Sequence, residues 1–156
     1  MSSNMASSGV APSTQTQIDT LNSLLRGELS AVETYEIALG RLEEASASRS
    51  TLQLCRDSHQ RRADLVAMEV QRVGGEPSAK SGPWGALMKI VEMGAAAFGE
   101  KLAIAALEEG EDKGLRDYRE ATHGLTGPTR TLLVRDVLPL QELTHRKMSQ
   151  LKESYS

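Results

Sequence analysis

The sequence is poor in aromatic residues and contains one cysteine, and each shortage excludes a class of protein. Aromatic side chains make up 3% of its 156 residues, whereas alanine, leucine, glutamate and arginine are frequent, which favours packed helices over sheets. A single cysteine, Cys55, excludes an internal disulfide and any multi-cysteine zinc site. We therefore expect a reduced, cytoplasmic setting.

Long apolar runs and a surplus of positive charge are also lacking. No apolar run approaches the roughly 20 residues that span a bilayer, so the sequence predicts no membrane span. The formal net charge is −3, with basic side chains interspersed among acidic ones, which excludes nucleic acid as an expected partner. Residues 1–15 lack the charged start and apolar core of a signal peptide. We expect them to form a disordered arm before a single domain at residues 16–153.

Apolar residues that recur at alternating intervals of three and four predict an all-α fold of four helices. These helices cover about residues 16–44, 51–73, 100–122 and from 128 onward. The alanine-rich segment 84–98 is bounded by glycine, and we interpret it as an extra short helix in the long crossover between helices two and three. The alternative is that this segment continues unbroken into helix three.

A glutamate or a histidine interrupts the apolar stripe of every predicted helix. Helices one to three carry Glu28, His59 and Glu111 respectively, and helix four carries Glu142 and His145. The last two stand three positions apart, so they project from the same side of a helix. Because burying a bare carboxylate is costly, each glutamate must be paired, hydrogen-bonded, protonated or bound to a metal.

An internal repeat links the two halves of the chain. The pattern Gly-Glu followed by a tyrosine seven positions after the glutamate occurs at Glu28 with Tyr35, and again 83 positions later at Glu111 with Tyr118. Two helix hairpins related by a pseudo-two-fold axis would bring these side chains to one centre. The repeat therefore predicts a shared polar site inside the bundle.

A second echo joins Ser58-His59-x-Arg61 to Thr144-His145-x-Lys147, displaced by 86 positions. It adds one imidazole from each half of the chain to the predicted centre.

The resemblance to a known family rests on four phrases: GELSAVETYEIAL, VGGEP, GPWGAL and LEEGEDKGLRDY. The chain resembles the ferritin-like superfamily, and most of all a bacterial branch known only as a domain of unknown function, over roughly residues 16–153. This resemblance implies a four-helix bundle in which helices one and three each supply a glutamate and helices two and four each supply Glu-x-x-His to a pair of metal ions. The implied metal ligands are Glu28, His59, Glu111, Glu142 and His145.

One position departs from the pattern of that family. Arg56 stands where the family's glutamate on helix two should be, and Asp57 faces about 100° away by helix periodicity. An inward Arg56 would place a fixed positive charge in the metal site, or it would neutralise Glu28 or Glu111. By helix periodicity alone, the charged positions of helix two are expected to face solvent, namely Arg56, Asp57, Arg61, Arg62, Asp64 and Arg72.

Two functions follow from these observations. The first is a ferritin-like protein that binds iron or another transition metal and handles iron or reduces oxygen or peroxide. The alternative is a metal-free structural or protein-interaction bundle in which the same site is a buried network of polar groups and ion pairs. The small residues between positions 84 and 106 suit close helix contacts, and we expect a homo-oligomer, most simply a dimer.

Overall fold

The computed structural model of the chain describes residues 12–82, Lys89, Val91 and residues 99–156. All regular secondary structure in these residues is helical, which confirms the predicted all-α class for this part of the chain. The helices are α1 (Thr14–Arg41), α2 (Arg49–Arg72), α3 (Glu100–Gly124) and α4, a continuous run made of Gly127–Leu132, a π-helical turn Leu133–Val137, and Leu138–Ser154.

Two antiparallel hairpins build the bundle. Helix α1 packs along α2, and α3 packs along α4. The hairpins join through contacts of α2 with α4 and of α1 with α3. The described chain is thus a four-helix bundle whose inner faces meet along one axis.

The crossover that follows α2 returns along the side of α1. The side chain of Asn22 donates to the carbonyl of Glu76 at 3.0 Å and accepts from the backbone N–H of Ser78 at 2.8 Å. Further along, the N–H of Gly82 donates to the hydroxyl of Ser30 at 2.7 Å. The segment runs parallel to α1, from its N-terminal part toward its C-terminal part. Helix α3 therefore begins at the opposite end of the bundle from the end of α2.

Glycine allows this crossover to begin. Gly74 adopts a φ of +87°, which side chains rarely tolerate, directly after the end of α2. A Cβ on Gly75 would lie 2.8 Å from a methyl carbon of Ile18, so only glycine fits against α1 at this point.

Two apolar clusters lie on either side of a polar centre. One cluster includes Leu21, Leu25, Val66, Val70, Leu133 and Val137, and the other includes Tyr35, Leu52, Ile104, Leu107 and Met148. The buried polar side chains between them come from all four helices. The fold therefore places the polar groups at mid-height of the bundle, where apolar layers shield them from water at both ends.

The inner face predicted for α4 comprises Val134, Leu138, Glu142, His145, Met148 and Leu151, and its first four positions were wrong by one residue. Leu133, Val137, Gln141, Thr144 and Met148 are buried, whereas Val134 is exposed and Leu138, Glu142 and His145 are only partly buried. The apolar pairs at 133–134 and 137–138 are compatible with either register. In the structure Leu138 donates its N–H five residues back to the carbonyl of Leu133, which forms the π-helical turn just before Pro139.

Two other predictions fall mainly on residues that are not described. The proposed short helix at 84–98 lies outside the described residues apart from Lys89 and Val91. Most of the expected N-terminal arm, residues 1–11, also lies outside them. Helix α1 begins at Thr14, where the hydroxyl of Ser13 accepts from the N–H of Thr16 at 3.1 Å.

Candidate functional site

His59 lies at the centre of the bundle between two carboxylates. Its Nδ1 is 2.6 Å from Oε2 of Glu28, and its Nε2 is 2.8 Å from Oε1 of Glu111. All three side chains are buried. A ring nitrogen that faces a carboxylate oxygen at this distance has to donate, and both nitrogens donate only in the imidazolium form. Since the pKa values of Glu28 and Glu111 are lowered and both groups are ionised, the ring between them carries a positive charge.

The electrostatics of His59 agree with this protonation state. Burial lowers its pKa and the nearby Arg62 lowers it further, but the attraction of Glu111 and Glu28 outweighs both effects. The pKa of His59 is consequently raised above its ordinary value of 6.5.

Two tyrosines tie the carboxylates across the bundle. Tyr35 of α1 donates to Oε1 of Glu111 at 2.6 Å, and Tyr118 of α3 donates to Oε1 of Glu28 at 2.5 Å. Burial and the adjacent carboxylates raise the pKa of both hydroxyls well above 10, so they act as neutral donors. Each tyrosine of the repeated Glu–Tyr pattern thus bonds to the glutamate of the other copy.

Arg62 supplies the second positive charge, and sequence reasoning had placed it at the surface. Its side chain is fully buried, and Nη1 lies 3.5 Å from Oε1 of Glu28. The guanidinium also donates to the side-chain oxygen of Gln141 and, at 3.2 Å, to the hydroxyl of Thr144. Burial lowers the pKa of Arg62, but Glu28, Tyr118, Glu111 and Tyr35 together raise it by more, so the group keeps its charge.

Helix α4 contributes neutral donors to this centre. The side chains of Gln141 and Thr144 donate to Oε2 of Glu111 at 2.9 and 2.8 Å. Burial on its own would raise the pKa of Glu111, but the charges of His59 and Arg62 and the hydrogen bonds lower it to about 2. We call the eight residues of this centre the central network: Glu28, Tyr35, His59, Arg62, Glu111, Tyr118, Gln141 and Thr144.

A small cavity touches one side of the central network. It has a volume of about 40 Å³ and is bordered by Glu28 and His59, with Gly27 and Gly114 in its wall. A Cβ on Gly114 would lie 3.0 Å from Nε2 of Gln141, so a larger residue there would crowd that side chain. The cavity has room for a water molecule or one small ion.

Arg56 lies on the solvent side of α2, as helix periodicity predicted, and does not take the inward place of the family's glutamate. Its side chain is partly exposed and pairs with Asp57 at 2.8 Å and with Glu36 at 3.7 Å. The arginine that neutralises Glu28 is Arg62. Its position three residues after His59, on the same face of α2, is the signal that identifies it.

Glu142 and His145 lie away from the central network. Glu142 is partly buried and makes none of the network's hydrogen bonds among the described residues. The Nε2 of His145 instead lies 2.5 Å from Oδ1 of Asp112. Glu108, Asp112 and His145 each place one ligand atom within 4.8 Å of the other two, so this group could hold a metal ion. We call Glu108, Asp112 and His145 the outer group.

The donor set of the central network does not fit a two-metal centre. Among the residues that the structure describes, two carboxylates and one imidazole meet there. Their oxygen and nitrogen atoms are all engaged with one another or with Tyr, Gln, Thr and Arg donors. A pair of cations would also lie beside the charged Arg62, which is 3.5 Å from Glu28. The guanidinium of Arg62 is always charged, and its positive charge opposes the binding of a cation beside Glu28.

The fold and the site define an all-helical bundle protein with a buried cluster of glutamate and histidine side chains. The chain belongs to the family described as Domain of unknown function (DUF2383), whose model matches residues 16–124. Comparison with curated proteins and with solved structures finds no match. Among the described residues, no helix is both long enough and apolar enough to cross a membrane.

Proposed function

We propose that this protein is a non-enzymatic helical bundle of ferritin-like architecture, in which a charge-balanced ion network takes the place of a metal centre. The observation that carries this proposal is the buried guanidinium of Arg62, 3.5 Å from Glu28 and hydrogen-bonded to Gln141 and Thr144. On this view the centre holds the four helices in register, and the protein acts through its surface as a structural or interaction module.

The charges of the central network support this role because they cancel. Glu28 and Glu111 carry two negative charges, and Arg62 and the imidazolium of His59 carry two positive ones. Buried ions are tolerated only when they are paired and hydrogen-bonded, and each carboxylate oxygen here has at least one donor. A closed set of this kind fixes the relative position of helices without any bound cation.

The ferritin-like part of the proposal is supported by topology and by the repeat. The bundle has a single long crossover, which returns along α1. The glutamates of α1 and α3 face each other's tyrosines across the axis. A homo-oligomer, most simply a dimer, belongs to the same proposal and is tested by sedimentation equilibrium.

The protonation state of His59 tests this function directly. In ¹⁵N NMR spectra of the full chain at pH 7.5, where a histidine of ordinary pKa is mostly neutral, we expect both ring nitrogens of His59 to be protonated. Adding Zn²⁺ should leave these signals in place. A metal ligand must have one unprotonated ring nitrogen, so the same spectrum discriminates between the two functions.

The competing function is the one in which Glu28, His59 and Glu111 hold iron or another transition metal, for iron handling or for reduction of oxygen or peroxide. The cavity of about 40 Å³ beside Glu28 and His59 favours it, since one ion would fit there. Stoichiometric metal that is lost in Glu111→Gln but retained in His145→Ala would establish this function. That result would overturn the metal-free network.

A further inference from the structure

We infer that the outer group, Glu108 and Asp112 of α3 with His145 of α4, is a binding site for a single divalent transition-metal ion such as Zn²⁺. This site is separate from the central network, and it stands whether or not the proposed function is correct.

The geometry of the three side chains is close to that of a metal site. One ligand atom from each residue lies within 4.8 Å of the other two, and the Nε2 of His145 is 2.5 Å from Oδ1 of Asp112. Ligand atoms that surround zinc at about 2.0–2.2 Å lie roughly 3–4 Å apart, so small side-chain rotations bring all three to a cation.

Rigid helices position these ligands. Glu108 and Asp112 are four residues apart, one turn of α3, and therefore share a face. His145 projects toward them from the adjacent helix of the α3–α4 hairpin and directly follows Thr144, which is buried in the central network. The ligands are thus supplied by the packed hairpin and not by a loop.

The side chain of Lys152 already contacts one of the three proposed ligands. The ammonium of Lys152 lies 3.0 Å from Oε2 of Glu108, and the hydroxyl of Ser149 lies 3.3 Å from Oε1. The Lys152 side chain is 51% exposed, so it can leave at little cost when a metal ion arrives. Lys152 therefore competes with the metal, and removing its charge should tighten binding.

The remaining coordination positions face an open groove. It has a volume of about 270 Å³, and Leu102 and Ala106 line it together with Glu108, Asp112 and Lys152. One imidazole and two carboxylates suit Zn²⁺, Fe²⁺ or Co²⁺ better than Mg²⁺ or Ca²⁺, which prefer oxygen ligands alone. Three protein ligands would leave space for water on the groove side.

Titration of the chelator-treated full chain with Zn²⁺ by calorimetry, and with Co²⁺ by visible absorption, tests the site. We expect one ion per chain. His145→Ala and Asp112→Asn should each weaken binding at least tenfold, whereas Lys152→Met should strengthen it. The exposed residues of the same types outside this groove, His123→Ala and Glu120→Gln, are matched controls and should leave the affinity unchanged.

The ring signals of the histidines separate this site from the central network. Zn²⁺ should shift the NMR signals of His145 and leave those of His59 in place. Failure of the wild-type chain to bind either ion would overturn the inference, and so would binding that His145→Ala does not weaken. A shift of the His59 signals alone would overturn it too, and would also contradict the metal-free central network.

Discussion

The central network and the outer group contain the same kinds of side chain in opposite situations. His59 is 2% exposed, and both of its ring nitrogens face carboxylates. The side chain of His145 is 25% exposed, and it meets one carboxylate beside an open groove. A histidine that lies beside carboxylates can therefore bind a metal ion only where those carboxylates are not already fully hydrogen-bonded to buried side chains.

Arg62 makes the largest difference between the two regions. We expect Arg62→Met to lower the free energy of unfolding by about 3–5 kcal/mol, because it leaves two buried carboxylates with only one positive partner. Urea denaturation measures this change. Arg61→Met, one position earlier at the exposed surface, is the control and should change stability by less than about 0.5 kcal/mol. Equal losses from both substitutions would show that Arg62 does not support the network.

The dependence of stability on pH should report the charges of the central network. Since the pKa of Glu111 is lowered to about 2, its contribution is full above about 4.5 and is lost as the pH falls toward 2. At about 1.4 kcal/mol per pKa unit, that loss is roughly 3 kcal/mol. Thermal melts of wild type and Glu111→Gln measure it, and the variant should show a flatter acid limb.

The basic side of the same profile has the opposite sign. Because the pKa of His59 is raised, its contribution is full below its unfolded value of 6.5 and is lost as the pH rises through the folded value. His145→Ala should leave this limb unchanged. If His145→Ala, and not a substitution of His59, removed the loss of stability at high pH, the assignment of this limb to the central network would be wrong.

The two tyrosines should show smaller and similar effects. Tyr35→Phe and Tyr118→Phe each remove a hydrogen bond to a buried carboxylate, and we expect a loss of about 1.5–3 kcal/mol for each. Urea denaturation of Tyr35→Phe, Glu111→Gln and the double variant forms a double-mutant cycle. The double variant should lose clearly less stability than the sum of the two single losses, and strict additivity would indicate that the hydroxyl contributes nothing through Glu111.

The smallest effect is expected at the outer group. In the presence of chelator, His145→Ala should lower the free energy of unfolding by less than about 1 kcal/mol, because partly exposed ion pairs contribute little. With Zn²⁺ at 100 times its dissociation constant, wild type should gain about 2.7 kcal/mol that the variant does not. Chelator-independent melting of both proteins would place the outer group among ordinary surface ion pairs.

Much of the centre could be predicted from the sequence. Glu28, His59 and Glu111 interrupt regular apolar stripes, and helical periodicity alone turns them inward. The Glu–Tyr repeat also predicted Tyr35 and Tyr118 at this centre, but the partners on α2 and α4 were harder to predict. Arg62 was assigned to the solvent side because it lies in a charged run of α2, where composition resembles an exposed face.

By itself, the sequence determined the helical class and five of the eight residues of the central network, because spacing along a helix sets which residues share a face. Only the tertiary structure decided which residues of α4 complete the centre. Adjacent apolar residues at 133–134 and 137–138 allow two registers, and packing against α2 and α3 selects the one that buries Gln141 and Thr144. That choice of one position moves His145 from the core to the outer group, because a single residue turns a helix by about 100°.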